Sequence, residues 1–373
     1  MDLRRIPAVI MRGGTSRGLF LHAADVPDDP VARDALLLDL MGSPHPLQVD
    51  GLGGGHSSTS KVMIISPSTE PGIAVDYLFA QVSVRTAYVD YTGNCGNLTA
   101  AVAHFAVEEG LVSPQSPVTQ VHLRNLNTGV SVVASVLVEA GTPQVHGTCE
   151  IAGVDRPGAP ITTTYLDPGG AVFDSVLPTG RARDDVDVSG VGPVTLSIVD
   201  VTNPMIFVRA TDLGLTGHED PAVVNGQEDV LGRVEAVRAC CAVKLGLVST
   251  MDEATAVSPS QPKVAVLAPP RGDDGDHASA VHLTARAFSM QRMHHAFTVT
   301  GLLCLAAASG IRGTIPHEIA GRSGAGPTTT TVAHASGLTT VGADVEDGTA
   351  RVRSVSIDRT ARRLMQGEAF VPA

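Results

Sequence analysis

Cys95 lies in Asp90-Tyr-Thr-Gly-Asn-Cys-Gly-Asn-Leu-Thr99. Upstream, Gln81-Val-Ser-Val-Arg85 alternates like a strand. Downstream, Leu98, Ala101, Val102, Phe105 and Ala106 recur at helical spacing until Gly110. Gly93 to Asn97 therefore reads as a tight strand-to-helix turn, with Cys95 at the helix start. Unspent backbone N–H groups there favour an anion or a thiolate. A thiol so placed can attack as a nucleophile or, deprotonated, take up a proton. An isolated cysteine is often only a small buried hydrophobe. The flanking glycines and asparagines weigh against that reading here, and so does a second motif.

That motif is Gly51-Leu-Gly-Gly-Gly-His-Ser-Ser-Thr-Ser-Lys61, which runs into the apolar strand Val62–Ile65. Lysine occurs only at 61, 244 and 263, and every other basic residue is arginine. An ammonium can give up its proton when desolvated, whereas a guanidinium in practice cannot. Lys61, at the lip of a strand, is thus an acid–base candidate rather than a surface lysine beside a flexible linker. A third stretch, Arg12-Gly-Gly-Thr-Ser-Arg-Gly18, joins strands Ile6–Met11 and Leu19–Leu21. A glycine-rich, hydroxyl-bearing turn suits close approach of an anionic group, or it is a hairpin with loose turn chemistry. It lacks the Gly-Lys-Ser/Thr ending of a P-loop, which argues against a nucleotide.

The elements that must position these residues alternate between β and α. Asp28-Asp-Pro-Val31 opens a helix that Gly42 closes. Val121–Gly129 and Val130–Val138 read as a hairpin, and strand-like segments continue to about Val172. Leu177–Gly180 and Arg181–Asp187 read as a domain linker. Strands Val194–Val201, Ile206–Arg209, Lys263–Ala268 and Ala280–Phe288 follow, with Thr202–Met205 a turn between the first two. A helix through Val230, Val234, Val237 and Cys241 ends at Gly246, and an apolar helix spans Thr300–Ala308. Pro269–His277 reads as an acidic solvated loop, Gly313–Pro316 as a turn and Gly321–Thr331 as a loop. Val352–Ile357 reads as a strand and Thr360–Met365 as a short helical turn. The order strand, polar turn, apolar helix occurs in both halves, with Cys95-Gly-Asn-Leu98 and Thr298-Val-Thr-Gly301 at comparable places. That pattern suggests an internal duplication.

A chain of 373 residues suffices for two ordinary domains. With 43% hydrophobic and 17% charged residues it can bury a core, and with no tryptophan that core must be Val, Leu, Ile and Ala. A net charge of −12 argues against general nucleic-acid binding. No apolar run reaches a membrane span and no long apolar leader opens the chain, so a soluble cytoplasmic protein is expected. The cysteines (95, 149, 240, 241, 304) are odd in number and lack metal-type spacing, so neither a disulfide framework nor a metal site is expected.

Taken together, Met11–Gly18, Gly53–Gly55 through Thr59-Ser-Lys61, Gly93-Asn-Cys-Gly-Asn97, Leu177–Gly180, Asn203-Pro204 and Arg362–Met365 through Val371-Pro372 resemble the 2-methylaconitate isomerase, 4-oxalomesaconate tautomerase and methylitaconate isomerase group. The resemblance covers nearly the whole chain. It implies an α+β, diaminopimelate-epimerase-like fold: two similar domains, each a β-sheet wrapped around a central helix, with the active site in the cleft between them. The expected domains are 1–183, carrying Lys61 and Cys95, and 184–373, whose last segment could return to the first.

The resemblance also implies the chemistry. Lys61 and Cys95 match the group's acid/base pair, which moves an allylic proton of an unsaturated di- or tricarboxylate without cofactor or metal. Thr15, Ser16, Arg17, Ser60, Asn94, Gly96, Asn97, Asn203 and Ser336 are the candidate substrate-binding residues. Ser336 comes from His334-Ala-Ser-Gly337, where the group has His-Pro-Ser-Gly. The second cysteine of amino-acid epimerases would fall near Thr298, which argues against a two-cysteine epimerase. That enzyme, a non-catalytic carboxylate-binding protein and an enzyme for another unsaturated acid are the alternatives. A homodimer could form through an exposed sheet edge.

Overall fold

In the computed structural model, residues 3–271, 281–321 and 326–372 are described. The chain divides into two units, Met1–Tyr165 with Asp358–Ala373, and Leu166–Ile357.

The first unit opens with a hairpin of β1 (Leu3–Gly13) and β2 (Ser16–His22). Helix α1 (Pro30–Met41) follows, and the Asp29 carboxylate caps it by accepting from Ala32 N at 2.9 Å. Gly42, at φ +68, lets the chain turn out of the helix. The crossover delivers β3 (Lys61–Pro67) parallel to β2. Then come β4 (Val75–Val82), antiparallel to β3, and the short β5 (Val89–Asp90). Helix α2 (Gly96–Glu108) is buried around its whole circumference from Leu98 to Val107. A helix apolar on all sides can be stable in water only inside a core. β6 (Val118–Asn125) pairs parallel with β4, and β7 (Ser131–Glu139), β8 (Thr142–Pro143) and β9 (Ile161–Leu166) complete the sheet. Leu36, Leu37 and Leu40 of α1 cover one face of β1–β4 with Ile6, Leu19, Leu21, Val62 and Ile64.

The second unit repeats this circuit. It runs β10 (Asp184–Val188), β11 (Gly192–Val201), β12 (Asn203–Arg209), the one-turn α3 (Pro221–Val224), α4 (Glu228–Lys244), α5 (Met251–Val257) and β13 (Lys263–Ala268). It continues with β14 (Leu283–Ser289), β15 (Arg292–Met293), α6 (Val299–Gly310), α7 (Ile315–Ala320), β16 (Gly326–His334), β17 (Gly337–Val345) and β18 (Val352–Arg359). β11–β12 is the hairpin, β13 runs parallel to β12, β14 antiparallel to β13, and β16 parallel to β14. α6 is buried from Val299 to Ser309, as α2 is. β10 pairs antiparallel with β11. In the first unit the matching place beside β1 is filled from the far end of the chain, by β19 (Ala361–Pro372).

The boundary accordingly falls at Tyr165/Leu166 rather than 183/184. Segment 166–183 is tied to β11, because the Asp200 carboxylate accepts from Val172 N (2.7 Å) and Phe173 N (2.9 Å), and Thr202 N donates to Pro168 O (2.9 Å). Asp184–Val188, overlapping the expected linker Arg181–Asp187, is a strand because Gly192–Val201 lies beside it. Ala361–Met365, within the helical turn expected at Thr360–Met365, is extended against β1. β4 stops at Val82, so Ser83–Arg85 is not strand. Only Thr202, at φ +58, makes the β11–β12 turn, and Asn203-Pro204 already belongs to β12. Thr314 caps α7 through a bond from His317 N at 3.1 Å, so Ile315-Pro316 is helical. Gly326–Thr331 is strand, because β17 pairs with it. From residue 272 on, the acidic loop expected at Pro269–His277 lies outside the described residues, as do Ala280 and residues 322–325. No helix among the described residues is long and apolar enough to cross a membrane.

Candidate active site

Cys95 is the N-cap of α2, with φ −107° and ψ 90°, and gives the helix no side-chain bond. The first-turn N–H groups, beginning at Gly96, have no partner inside the helix. The buried thiol donates instead to Ser16 Oγ, at 3.8 Å. Ser16 and Thr15 sit at the tip of the β1–β2 hairpin, which lies against this helix end. A Cβ on Gly13 would stand 2.4 Å from Asn97 O, and one on Gly14, at φ +46, would stand 2.1 Å from Asn97 Oδ1. Only glycine lets the backbone come this close. Asn97 Nδ2 donates to Thr15 Oγ1 (3.0 Å) and Ser16 Oγ (3.5 Å), while its Oδ1 accepts from Arg359 Nε (3.1 Å). Asn94 Oδ1 accepts from Thr99 Oγ1 at 3.3 Å, one turn into the helix. Burial pushes the neighbouring Tyr77 phenol up to about 12 and raises that of Tyr165. Both therefore stay neutral near Cys95.

Lys61 opens β3 on the other side of the hairpin. A Cβ on Gly18 would stand 2.7 Å from Leu98 Cδ1 of α2 and 3.0 Å from Lys61 O, so Gly18 sits between the helix and the lysine's strand. Lys61 Nζ donates to Gln81 Oε1, its cross-strand partner, and lies 4.9 Å from the Phe79 ring centroid. Gln81 Nε2 donates back to Ser60 O (2.8 Å) and Ser57 O (3.2 Å). The glycine-rich loop before Lys61 is closed by buried Gln48, whose Nε2 donates to Ser43 Oγ (2.8 Å) and Ser60 Oγ (2.6 Å) and whose Oε1 accepts from Gly55 N (2.9 Å). Ser60 is fully buried and its hydroxyl donates to Val82 O at 2.8 Å, so it holds the loop in place. Arg17 N donates to Ser58 O at 2.9 Å. Its half-buried guanidinium lies beside Gly54, where a Cβ would stand 2.9 Å from Nη2. Among the described residues no carboxylate pairs with Lys61, Arg17 or Arg359.

Thr15, Ser16, Asn94, Cys95, Gly96 and Asn97 thus cluster at the start of α2, and Arg17, Ser60 and Lys61 where the glycine-rich loop meets β3, with Gly18 between the two groups. Asn203 and Ser336 belong to the second unit. Asn203 opens β12 as Ser16 opens β2, and its buried Oδ1 takes no bond from any described residue. Thr298 caps α6 where Cys95 caps α2. Ser336 Oγ donates to His295 O at 2.5 Å, and Ser336 N donates to His334 Nδ1 at 3.3 Å. The sequence reading missed Gln48, Gln81 and Arg359. Gln81 carried a usable signal, since it occupies the strand position that a β3–β4 hairpin sets opposite Lys61.

A family model described as PrpF protein matches residues 3–372. The chain belongs to the PrpF family. Among its PrpF-like relatives, the 3-methylitaconate isomerase of Eubacterium barkeri is 42% identical over 99% of this chain and 98% of that protein. The 2-methyl-aconitate isomerase of Shewanella oneidensis is 38% identical over 99% and 97%. A crystal structure of methylitaconate-delta-isomerase superposes with a TM-score of 0.86 at 42% identity, covering 100% of this chain and 96% of that one. The PrpF chain is an isomerase, and its relatives act on unsaturated carboxylates. Its fold is the diaminopimelate-epimerase-like one of two similar α+β units.

Proposed function

We propose that this isomerase moves an allylic proton in an unsaturated di- or tricarboxylate, with Lys61 and Cys95 as the acid–base pair and no cofactor. The observation that carries the reading is the seat of Gly18, where a Cβ would stand 2.7 Å from Leu98 Cδ1 of the helix Cys95 caps and 3.0 Å from Lys61 O, so strand and helix meet there closely. A base removes the proton allylic to a carboxylate, and the electron pair spreads over a dienolate. The acid then returns a proton to the far carbon, which shifts the double bond, or to the same carbon after rotation, which changes its geometry. The step needs one group to take the proton, one to give it and donors for the growing charge.

Lys61 and Cys95 fill the first two roles. The Thr15 and Ser16 hydroxyls, the Asn94 amide and the N–H groups from Gly96 are the donors in the first unit, with Asn97 bonded to the two hydroxyls, and Arg17 supplies the countercharge. Ser60 supports Lys61 from behind. Asn203 and Ser336 are the substrate-binding candidates of the second unit. Although the chain is acidic overall, Lys61 and Arg17 form no ion pair among the described residues, which leaves their charge for a substrate with more than one carboxylate. An epimerase on this fold would need a second thiol, and Thr298 stands at that helix cap.

The test is incubation of the purified protein in D₂O with 3-methylitaconate, 2-methylaconitate, 4-oxalomesaconate and aconitate, followed by proton NMR. Deuterium should enter one of these at an allylic carbon as it isomerises. Isomerisation of the same compound with no solvent deuterium in the product and none in recovered substrate would contradict proton transfer through exchangeable side chains.

A further inference from the structure

We propose that Arg359 is a positioning residue for this site, acting through the Asn97 carboxamide; the inference rests on the Lys61/Cys95 reading. Arg359 is 5% exposed and has no carboxylate partner among the described residues. Its Nε donates to Asn97 Oδ1 at 3.1 Å and its Nη1 to Asp358 O at 2.8 Å. Burial lowers it to about 10, which leaves it charged at neutral pH. Asp358 offsets part of that burial electrostatically but forms no ion pair with it, so the buried cation still costs stability and packing alone does not account for it. Gly14 makes room for it, since a Cβ there would lie 3.0 Å from Arg359 Cδ as well as against Asn97.

A guanidinium only donates. Facing it, the Asn97 amide has one favourable orientation, with Oδ1 toward the arginine and the NH₂ toward Thr15 and Ser16. Both hydroxyl oxygens then accept from inside the protein, and Ser16 Oγ also accepts from Cys95 Sγ. Their two O–H hydrogens stay available to a substrate carboxylate. Turned over, the amide would present Oδ1 to the hydroxyls and take those hydrogens. Arg359 thereby sets the donor pattern around Cys95 without touching substrate.

The experiment uses the full chain and the substrate found in the exchange assay, with K61A as control. R359M should lower kcat about 10–100-fold, the cost of a misdirected polar group near the reacting atoms, and move KM less than about threefold. N97A should fall comparably, and R359M/N97A should be no slower than N97A alone. N97D gives the arginine a carboxylate partner, so its Tm should hold or rise. Its kcat should nevertheless fall like that of R359M, because the donor to Thr15 and Ser16 is gone. A purely structural arginine predicts instead that R359M loses Tm while the folded fraction keeps the wild-type kcat. R359M at the wild-type kcat, or a double variant slowed by the product of the single effects, would each overturn the proposal. If R359M fails to fold, R359Q, which is polar but can also accept and so no longer fixes the amide, takes its place: kcat should fall as for R359M, and the wild-type kcat would overturn the proposal. Full turnover by K61A would instead overturn the proton-transfer reading, whatever R359M does.

Discussion

Lys61 and Cys95 are both held by neutral partners, Gln81 and Ser16. A neutral acceptor fixes where a side chain lies without fixing its charge, which a group that must gain and lose a proton requires. Gln81→Glu keeps the size of the partner and adds a negative charge against the ammonium. The limb of the kcat/KM pH profile belonging to the lysine should then move alkaline by about one pH unit or more. A profile unchanged between pH 5 and 10 would separate Gln81 from the lysine's protonation. Arg17, half-buried beside Gly54, belongs to the same arrangement. Arg17→Ala should raise KM about 10–100-fold, the value of a charge-assisted bond to a carboxylate. An unchanged KM would remove it from the binding set.

At the scale of elements, the glycines of the hairpin set the spacing between α2 and β3. Gly18→Val places a branched side chain where a single Cβ already meets Leu98 and the Lys61 carbonyl. It should cost about 1–3 kcal/mol of stability by overpacking and reduce turnover more than stability alone explains. Asp29→Ala, at the α1 cap far from Lys61 and Cys95 in sequence, should cost about 1 kcal/mol and leave kcat intact. Urea melts paired with initial rates separate the two effects. These elements were unevenly legible. The α2 start, Cys95 at its cap and the Gly42 stop follow from local signals, because caps and apolar helices are encoded over a few residues. β19 was not legible, since Arg362-Arg-Leu-Met365 consists of good helix formers and is extended only because β1 pairs with it. Arg359 was invisible for the same reason: its partner Asn97 lies 262 positions away.

At the scale of the whole molecule, the repeated circuit explains why the chain must return. β10 supplies the strand beside β11, and β19 supplies the strand beside β1. Removing residues 361–373 should leave β1 without that neighbour and prevent the first unit from folding, as read by loss of the cooperative thermal transition. β19 is also clamped to the end of α2. Arg363 Nε donates to Glu108 Oε2 at 2.7 Å and Nη2 to Glu109 Oε1 at 2.6 Å, while His104 and His22 bond the same two carboxylates. Burial alone would raise both carboxyls, but these partners more than offset it and hold them below their ordinary 4.5. Such groups stabilise the fold fully above the ordinary carboxylate value, and their contribution is lost as pH falls through the lowered folded values. Arg363→Met should therefore lower stability at pH 7 by about 1–3 kcal/mol and flatten its decline below pH 4.5. A decline as steep as wild type would show that the clamp is not the acid-sensitive element.

The central claim is that Lys61 and Cys95 transfer the proton together. The most direct test is the rate of isomerisation and of deuterium entry in D₂O for wild type, Lys61→Ala and Cys95→Ala on one substrate, each variant first matched to wild type by circular dichroism. Each proton transfer by a positioned group is worth roughly 10²–10⁴-fold. Both variants should therefore lose isomerisation by at least that order, whichever of the two is the base. Either folded variant isomerising the substrate at a rate near wild type would contradict the account.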